Sequence, residues 1–152
     1  MHSIKWHVAQ INIAKMVGTN INDPVMKTFV DRLDEINALA DNSKGFVWRL
    51  RDENGNAASL NPYDDEKIIV NMSVWKTVED LEIFVYKSMH RDLLKQRQEW
   101  FVKPDQIIYA IWYIPENHIP SIGEAMEKLN YINQHGPGKY AFNFRTKFSP
   151  PK

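Results

Sequence analysis

Five side chains in the middle of this sequence, Asn71, Trp75, Tyr86, His90 and Arg97, together with Asn12 near its start, carry groups that can do chemistry in one pocket. An imidazole titrates near neutrality, so His90 is the candidate base. Asn71 as an amide donor, or Arg97 as a cation, can hold the oxyanion that deprotonation leaves behind. Catalytic candidates are therefore His90, Asn71 and Tyr86. Asn12, Trp48, Trp75, Arg97 and Trp100 are substrate-binding candidates, because indole walls suit a flat apolar molecule. Each piece also has a plainer reading. Trp48, Trp75, Trp100 and Trp112 serve equally as core or dimer-interface aromatics, and a single histidine can simply satisfy a local hydrogen bond.

Other chemistries lack their residues. The 152 residues contain no cysteine, which removes disulfides, thiolate nucleophiles and Cys-ligated metals and fits a reducing compartment. His2, His7, His118 and His135 form no zinc pattern, and the run Asp64-Asp65-Glu66 lacks EF-hand spacing, so no metal is expected. Arg49 and Arg51 share one strand face, where they can clamp a carboxylate or guard a sheet edge. Gly136-Pro137-Gly138 follows a helix and is a turn, and no Gly-x-Ser-x-Gly elbow is present. With 19 basic and 19 acidic residues the net charge is zero, so no field draws the chain to nucleic acid or anionic lipid. The first residues lack the apolar stretch of a signal peptide and no run approaches the ~20 residues of a membrane span, so the expected location is cytoplasmic.

The elements that must position these groups can be read from periodicity. Strict alternation marks strands at Trp6–Ile13, Phe46–Arg51 and Ile68–Trp75, and a nearly wholly apolar run marks a fourth at Gln106–Ile114. In the second strand Phe46, Trp48 and Leu50 oppose Val47, Arg49 and Arg51. In the third, Ile69, Asn71, Ser73 and Trp75 share one face. Asp23-Pro24 caps a first helix whose stripe is Val25, Phe29, Leu33, Ile36 and Ala40. Thr77 with Asp80 opens a second helix, which breaks and restarts at Ser88 and is closed by Pro104. Ser121 with Glu124 forms a capping box for a third through about Gln134, followed by a short extended piece, Tyr140 to Phe144. The order predicts one α+β domain over residues 1–152, a ferredoxin-like βαββαβ sandwich with a C-terminal helix and short strand. Helices are expected on one sheet face. The other, bearing Trp6, Val8, Ile69 and Trp75, is too apolar for water and suggests a partner sheet, hence a homodimer.

The segments Gly45-Phe46-Val47-Trp48-Arg49-Leu50, Tyr63-Asp64-Asp65-Glu66, Val70-Asn71-Met72-Ser73-Val74-Trp75, Ser88-Met89-His90-Arg91 and Arg97-Gln98-Glu99-Trp100-Phe101 closely resemble an uncharacterised bacterial family over nearly the whole chain. That family belongs to the dimeric α/β-barrel superfamily, which includes antibiotic-biosynthesis monooxygenases. The resemblance implies a dimeric barrel and a small-molecule enzyme that needs no cofactor, in which an electron-rich phenolic substrate reduces oxygen directly. Asn12, Trp75 and His90 are also similar in type and order to residues of haem-degrading monooxygenases, which would imply His90 on iron and the indole against a porphyrin. The rival expectation is a non-catalytic ligand-binding or structural dimer.

Overall fold

The computed structural model describes residues 5–51, 67–88, 99–104 and 108–151, with the backbone alone for Ser88. Alternating residues build four strands, β1 (Trp6–Lys15), β2 (Phe46–Arg49), β3 (Ile68–Trp75) and β4 (Tyr109–Pro115). Helices α1 (Lys27–Asp41) and α2 (Val78–Ser88) follow β1 and β3, and α3 (Ile122–His135) follows β4. All strand pairs are antiparallel, in the order β2-β3-β1-β4 that defines a ferredoxin-like sheet. The long loop at 52–66, the restarted helix segment at 89–98 and the first residues expected of strand four lie outside the described residues. No helix among those described is long and apolar enough to cross a membrane.

Local chemistry sets the helix ends. Asp23 accepts from the Val25 and Thr19 amides at 3.1 and 2.9 Å, and these backbone donors, Thr19's first, hold its carboxyl below the ordinary carboxylate value. Pro24–Met26 is a 3-10 turn whose tighter repeat rotates Val25 off the expected helical stripe into solvent, and Met26 enters the core in its place. Thr77 and Ser121 each accept from the backbone N–H three residues on, Asp80 at 3.0 Å and Glu124 at 3.1 Å. The expected capping box at Ser121 is only half made. Glu124 turns its carboxylate away from the cap, taking the Trp112 indole N–H at 2.8 Å and His118 Nε2 at 2.6 Å, because a buried indole has no water to bond.

The sheet's two faces carry different work. Ala9, Ile11, Val70, Met72, Val74, Trp112 and Ile114 form one core, sealed by Ala125, Leu129 and Ile132 of α3. On the reverse face Val8, Trp75 and Ile111 pack with Leu81 of α2, Ala40 of α1 and Phe142, while Met16, Phe29 and Trp100 form a second cluster toward the other end of α1. This corrects the expectation that one face is bare: the face of Trp6, Val8, Ile69 and Trp75 is the one α1 and α2 cover. Both split crossovers deliver their helices to the same side, so the opposite side falls to α3. The molecule has three layers, helix, sheet and helix, and the C-terminal helix has a structural task within its own chain.

Of the short strand expected at Tyr140–Phe144, one bridge forms: Phe142 and Ile111 exchange backbone bonds of 2.8 and 2.9 Å. The tail then straps across β4 and α2. Tyr113 Oη donates to the Phe148 carbonyl at 2.7 Å and Lys147 pairs with Glu82 at 2.9 Å. Burial, and then the Glu79 charge, push the Tyr113 phenol above its ordinary value.

Two predictions follow from this packing. Leu129 is 3% exposed and Tyr86 71% exposed. Leu129→Ala should cost about 2–5 kcal/mol and Tyr86→Ala within about 0.5 kcal/mol, read from urea midpoints at constant slope. The raised Tyr113 phenol favours the folded state below its ordinary value of 10.0, and that contribution is lost as pH rises toward the folded value. Urea stability measured from pH 8 to 11 should fall above 10, and less steeply in Tyr113→Phe.

Candidate functional site

Register puts polar residues of all four strands side by side on the face that α1 and α2 cover. Asn12 of β1 lies opposite Asn71 of β3 on one side and Tyr109 of β4 on the other. One rung along, Gln10 lies opposite Ser73, and Ser73 lies opposite Arg49 of β2. Neighbouring strands are ~4.8 Å apart, so each row is a short ladder of hydrogen-bonding groups. The ladder sits between the two apolar clusters of this face, around Trp75 and Phe84 at one end and around Phe29 and Trp100 at the other. Asn71 is exposed although it lies on a central strand, so neither α1 nor α2 encloses it.

Hydrogen bonds join Trp75, Ser73, Gln10 and Asn71 into a single unit. The Trp75 indole N–H donates to Ser73 Oγ at 2.8 Å. The Gln10 amide nitrogen donates to the same oxygen at 2.9 Å and to Asn71 Oδ1 at 2.8 Å. Both hydrogens of the Gln10 amide are thereby engaged, and the Asn71 carbonyl is tied back to the sheet. What remains on Asn71 is its amide nitrogen, two donors aimed away from that tie. An amide so held is pre-organised to meet a ligand oxygen without reorientation. Beside it, Arg49 grips Asp41 at the end of α1, Nε to Oδ1 at 2.8 Å and Nη2 to Oδ2 at 3.4 Å. The carboxylate this arginine clamps is the chain's own.

The structure brings Asn12 and Asn71 together and separates others among the expected site residues. Trp75 lies next to them but is 0% exposed, stacked on Phe84 at 4.9 Å and edge-on to Phe46 at 5.5 Å. It supports the ladder from beneath and has no indole face left for a porphyrin. Trp100 is enclosed at the far end, its indole N–H donating to Thr28 Oγ1 at 2.7 Å. Trp48 points to the opposite face, because a register shift after Phe46 pairs it with Val74 and reverses the alternation. Tyr86 projects into solvent from α2. His90 and Arg97 lie outside the described residues. Gln10, Ser73 and Tyr109 were missed. For Gln10 and Ser73 the signal was a second polar residue at i, i+2, Asn12 and Asn71, on strands otherwise apolar; Tyr109, between Ile107 and Ile111, carried no such signal. Among the described residues no three His, Asp or Glu side chains are grouped to hold a metal ion.

A family model described as Domain of unknown function (DUF3291) matches residues 7–152, and the chain belongs to that family. Among solved structures it is similar to SnoaB, a cofactor-independent oxygenase from Streptomyces nogalater, at 14% identity and TM-score 0.43 over 76% of this chain and 98% of that one. It is also similar to NE2512, a protein of unknown function from Nitrosomonas europaea, at 9% identity and TM-score 0.47 over 78% of this chain and 97% of that one. No curated protein matches the chain.

Removing the shared acceptor tests the ladder. Ser73→Ala leaves the buried Trp75 N–H without its partner and should cost about 1–3 kcal/mol in urea unfolding. Asn71→Ala, at the exposed end, should cost less than about 1 kcal/mol.

Proposed function

We propose that this member of the DUF3291 family is a small-molecule enzyme of monooxygenase-like type, which binds a flat, largely apolar aromatic substrate against Gln10, Asn12, Asn71 and Ser73. The observation that carries the reading is the exposed Asn71 amide, its oxygen tied to Gln10 and its nitrogen left to donate, on the sheet face between two aromatic-rich clusters. Such a site offers apolar contact to a ring system and hydrogen bonds to one oxygen on it. In this reading His90 removes the proton of a phenolic substrate, and Asn71, with Arg97, holds the resulting oxyanion. The electron-rich anion then reduces oxygen without a cofactor. A ring methylene becomes a carbonyl, one oxygen atom entering the product and the other leaving as water with the two hydrogens, so the substrate supplies every electron.

A non-catalytic binding protein is the second reading, favoured by the complete enclosure of Trp75 and Trp100, two of the expected walls, within the core. Pairing of two copies also belongs to the proposal, on the strength of the sequence resemblance. It is separable from the site, because the whole ladder lies within one protomer. Native mass spectrometry at micromolar concentration should show a dimer. A monomer would remove the pairing and leave the site.

The test of activity uses dithranol, a flat phenolic compound with an oxidisable methylene, in aerated buffer. Oxygen uptake and formation of the ketone product should be protein-dependent, and Asn71→Ala should lower turnover by about 10²–10³-fold while remaining folded. Binding without turnover would establish the non-catalytic reading, and absence of binding would overturn both.

A further inference from the structure

We propose that Gln10 is a positioning residue that sets the hydrogen-bond polarity of the ladder, and thereby selects ligands that present an acceptor oxygen to Asn71. The proposal deepens the small-molecule reading above and rests on it for the ligand, though not for the role of Gln10. Its basis is a count of donors and acceptors. A primary amide has a donor end and an acceptor end, and which end faces inward decides what its neighbours show outward. The Gln10 nitrogen faces inward, 2.9 Å from Ser73 Oγ and 2.8 Å from Asn71 Oδ1. The Trp75 indole nitrogen can only donate, and it points at the same Ser73 oxygen. Ser73 Oγ is thus an acceptor twice over, Asn71 Oδ1 is an acceptor within the ladder, and Asn71 Nδ2 is left to donate outward.

The opposite arrangement is chemically complete as well. With an acceptor at position 10, Ser73 would keep the Trp75 bond and donate its hydroxyl proton to residue 10, and Asn71 would donate its amide inward and show its carbonyl outward. Gln10 therefore selects between two self-consistent networks that differ in the sign of the group offered to a ligand. Glutamate at this position has no donor when ionised and must impose the reversed one. Position 10 is half-buried, so the change in shape is small. Replacement of Gln10 should leave the fold in place while inverting specificity, which a residue that merely filled space would not do.

Two measurements on the full chain test this. Side-chain amide hydrogen exchange by NMR, with the Asn71 signal identified by its loss in Asn71→Ala, should show Gln10 protected and Asn71 exchanging with solvent. In Gln10→Glu, Asn71 should become protected. The reverse pattern in the unmodified protein, or no change of Asn71 in Gln10→Glu, overturns the proposal whatever the protein binds. Ligand choice is read with two uncharged planar probes, 9-fluorenone as acceptor and 2-aminofluorene as donor, which avoid repulsion by the new carboxylate. The unmodified protein should prefer fluorenone by tenfold or more, and Gln10→Glu should reverse that order. Equal weakening of both probes would mark Gln10 as only structural and sink the specificity claim. The expected exchange pattern with neither probe binding would retain the role of Gln10 and remove the small-molecule reading on which its ligand rests.

Discussion

An indole N–H enclosed in a protein core has one hydrogen to donate and no water to receive it, and this requirement organises much of the molecule. Trp75, Trp100 and Trp112 are each at most 2% exposed, and each has recruited an oxygen from a different part of the chain. Trp100 bonds Thr28 and ties the segment after α2 to the first turn of α1. Trp112 bonds Glu124 and ties β4 to the start of α3. Trp75 bonds Ser73 on its own strand, and that oxygen in turn receives Gln10 and so links to Asn71. One of the three bonds fastens a helix to the sheet, and a second joins α1 to the segment after α2. The third leads outward along the sheet to an exposed amide, which is why the candidate site lies where it does.

The second constraint is that both faces of the sheet are apolar. A split βαβ arrangement places α1 and α2 on one side, and an isolated domain of that kind would leave Ala9, Ile11, Met72 and Trp112 facing water. Helix α3 meets them with Ala125, Leu129 and Ile132, spaced i, i+4 and i+7 so that they form one stripe. The cover is thus built from the same chain. Burial of this face no longer requires a second copy, and the hydrogen-bonded ladder on the reverse face lies within one chain.

Legibility in the sequence followed range. Strand β3 was readable to the residue, because alternation from Ile68 to Trp75 is uninterrupted, and Asp23, Thr77 and Ser121 were readable as caps because capping is settled within three residues. Alternation failed at β2, where a bulge after Phe46 moved Trp48 to the other face, an event that depends on the partner strand. The face that α3 covers was hidden for the same reason, since a helix stripe names no partner. Within the site, Asn12 and Asn71 stand out as amides on otherwise apolar strands, whereas the part of Gln10 and Ser73 depends on the cross-strand register that pairs them and is not written in either strand alone. Their spacing was in view throughout: Ser73 and Trp75 stand at i, i+2 on a strand, the separation that brings two side chains to one face.

The composition of the central strands makes the ladder more than a by-product of packing. β1 and β3 are the inner strands, and valine or isoleucine at positions 10, 12 and 73 would bury apolar area on a face already lined by Val8, Trp75 and Ile111. With phenylalanine at position 75, no buried N–H would need an acceptor, and removal of both partners of a buried hydrogen bond is often close to neutral. A wholly apolar version of this face is thus physically available and simpler. The chain instead holds two amides and a hydroxyl in a fixed order on its two inner strands, with the last amide open to solvent. A polar chain that begins in the core and ends at an exposed amide does what neither a core nor a surface requires: it fixes the orientation of a hydrogen-bond donor that faces solvent.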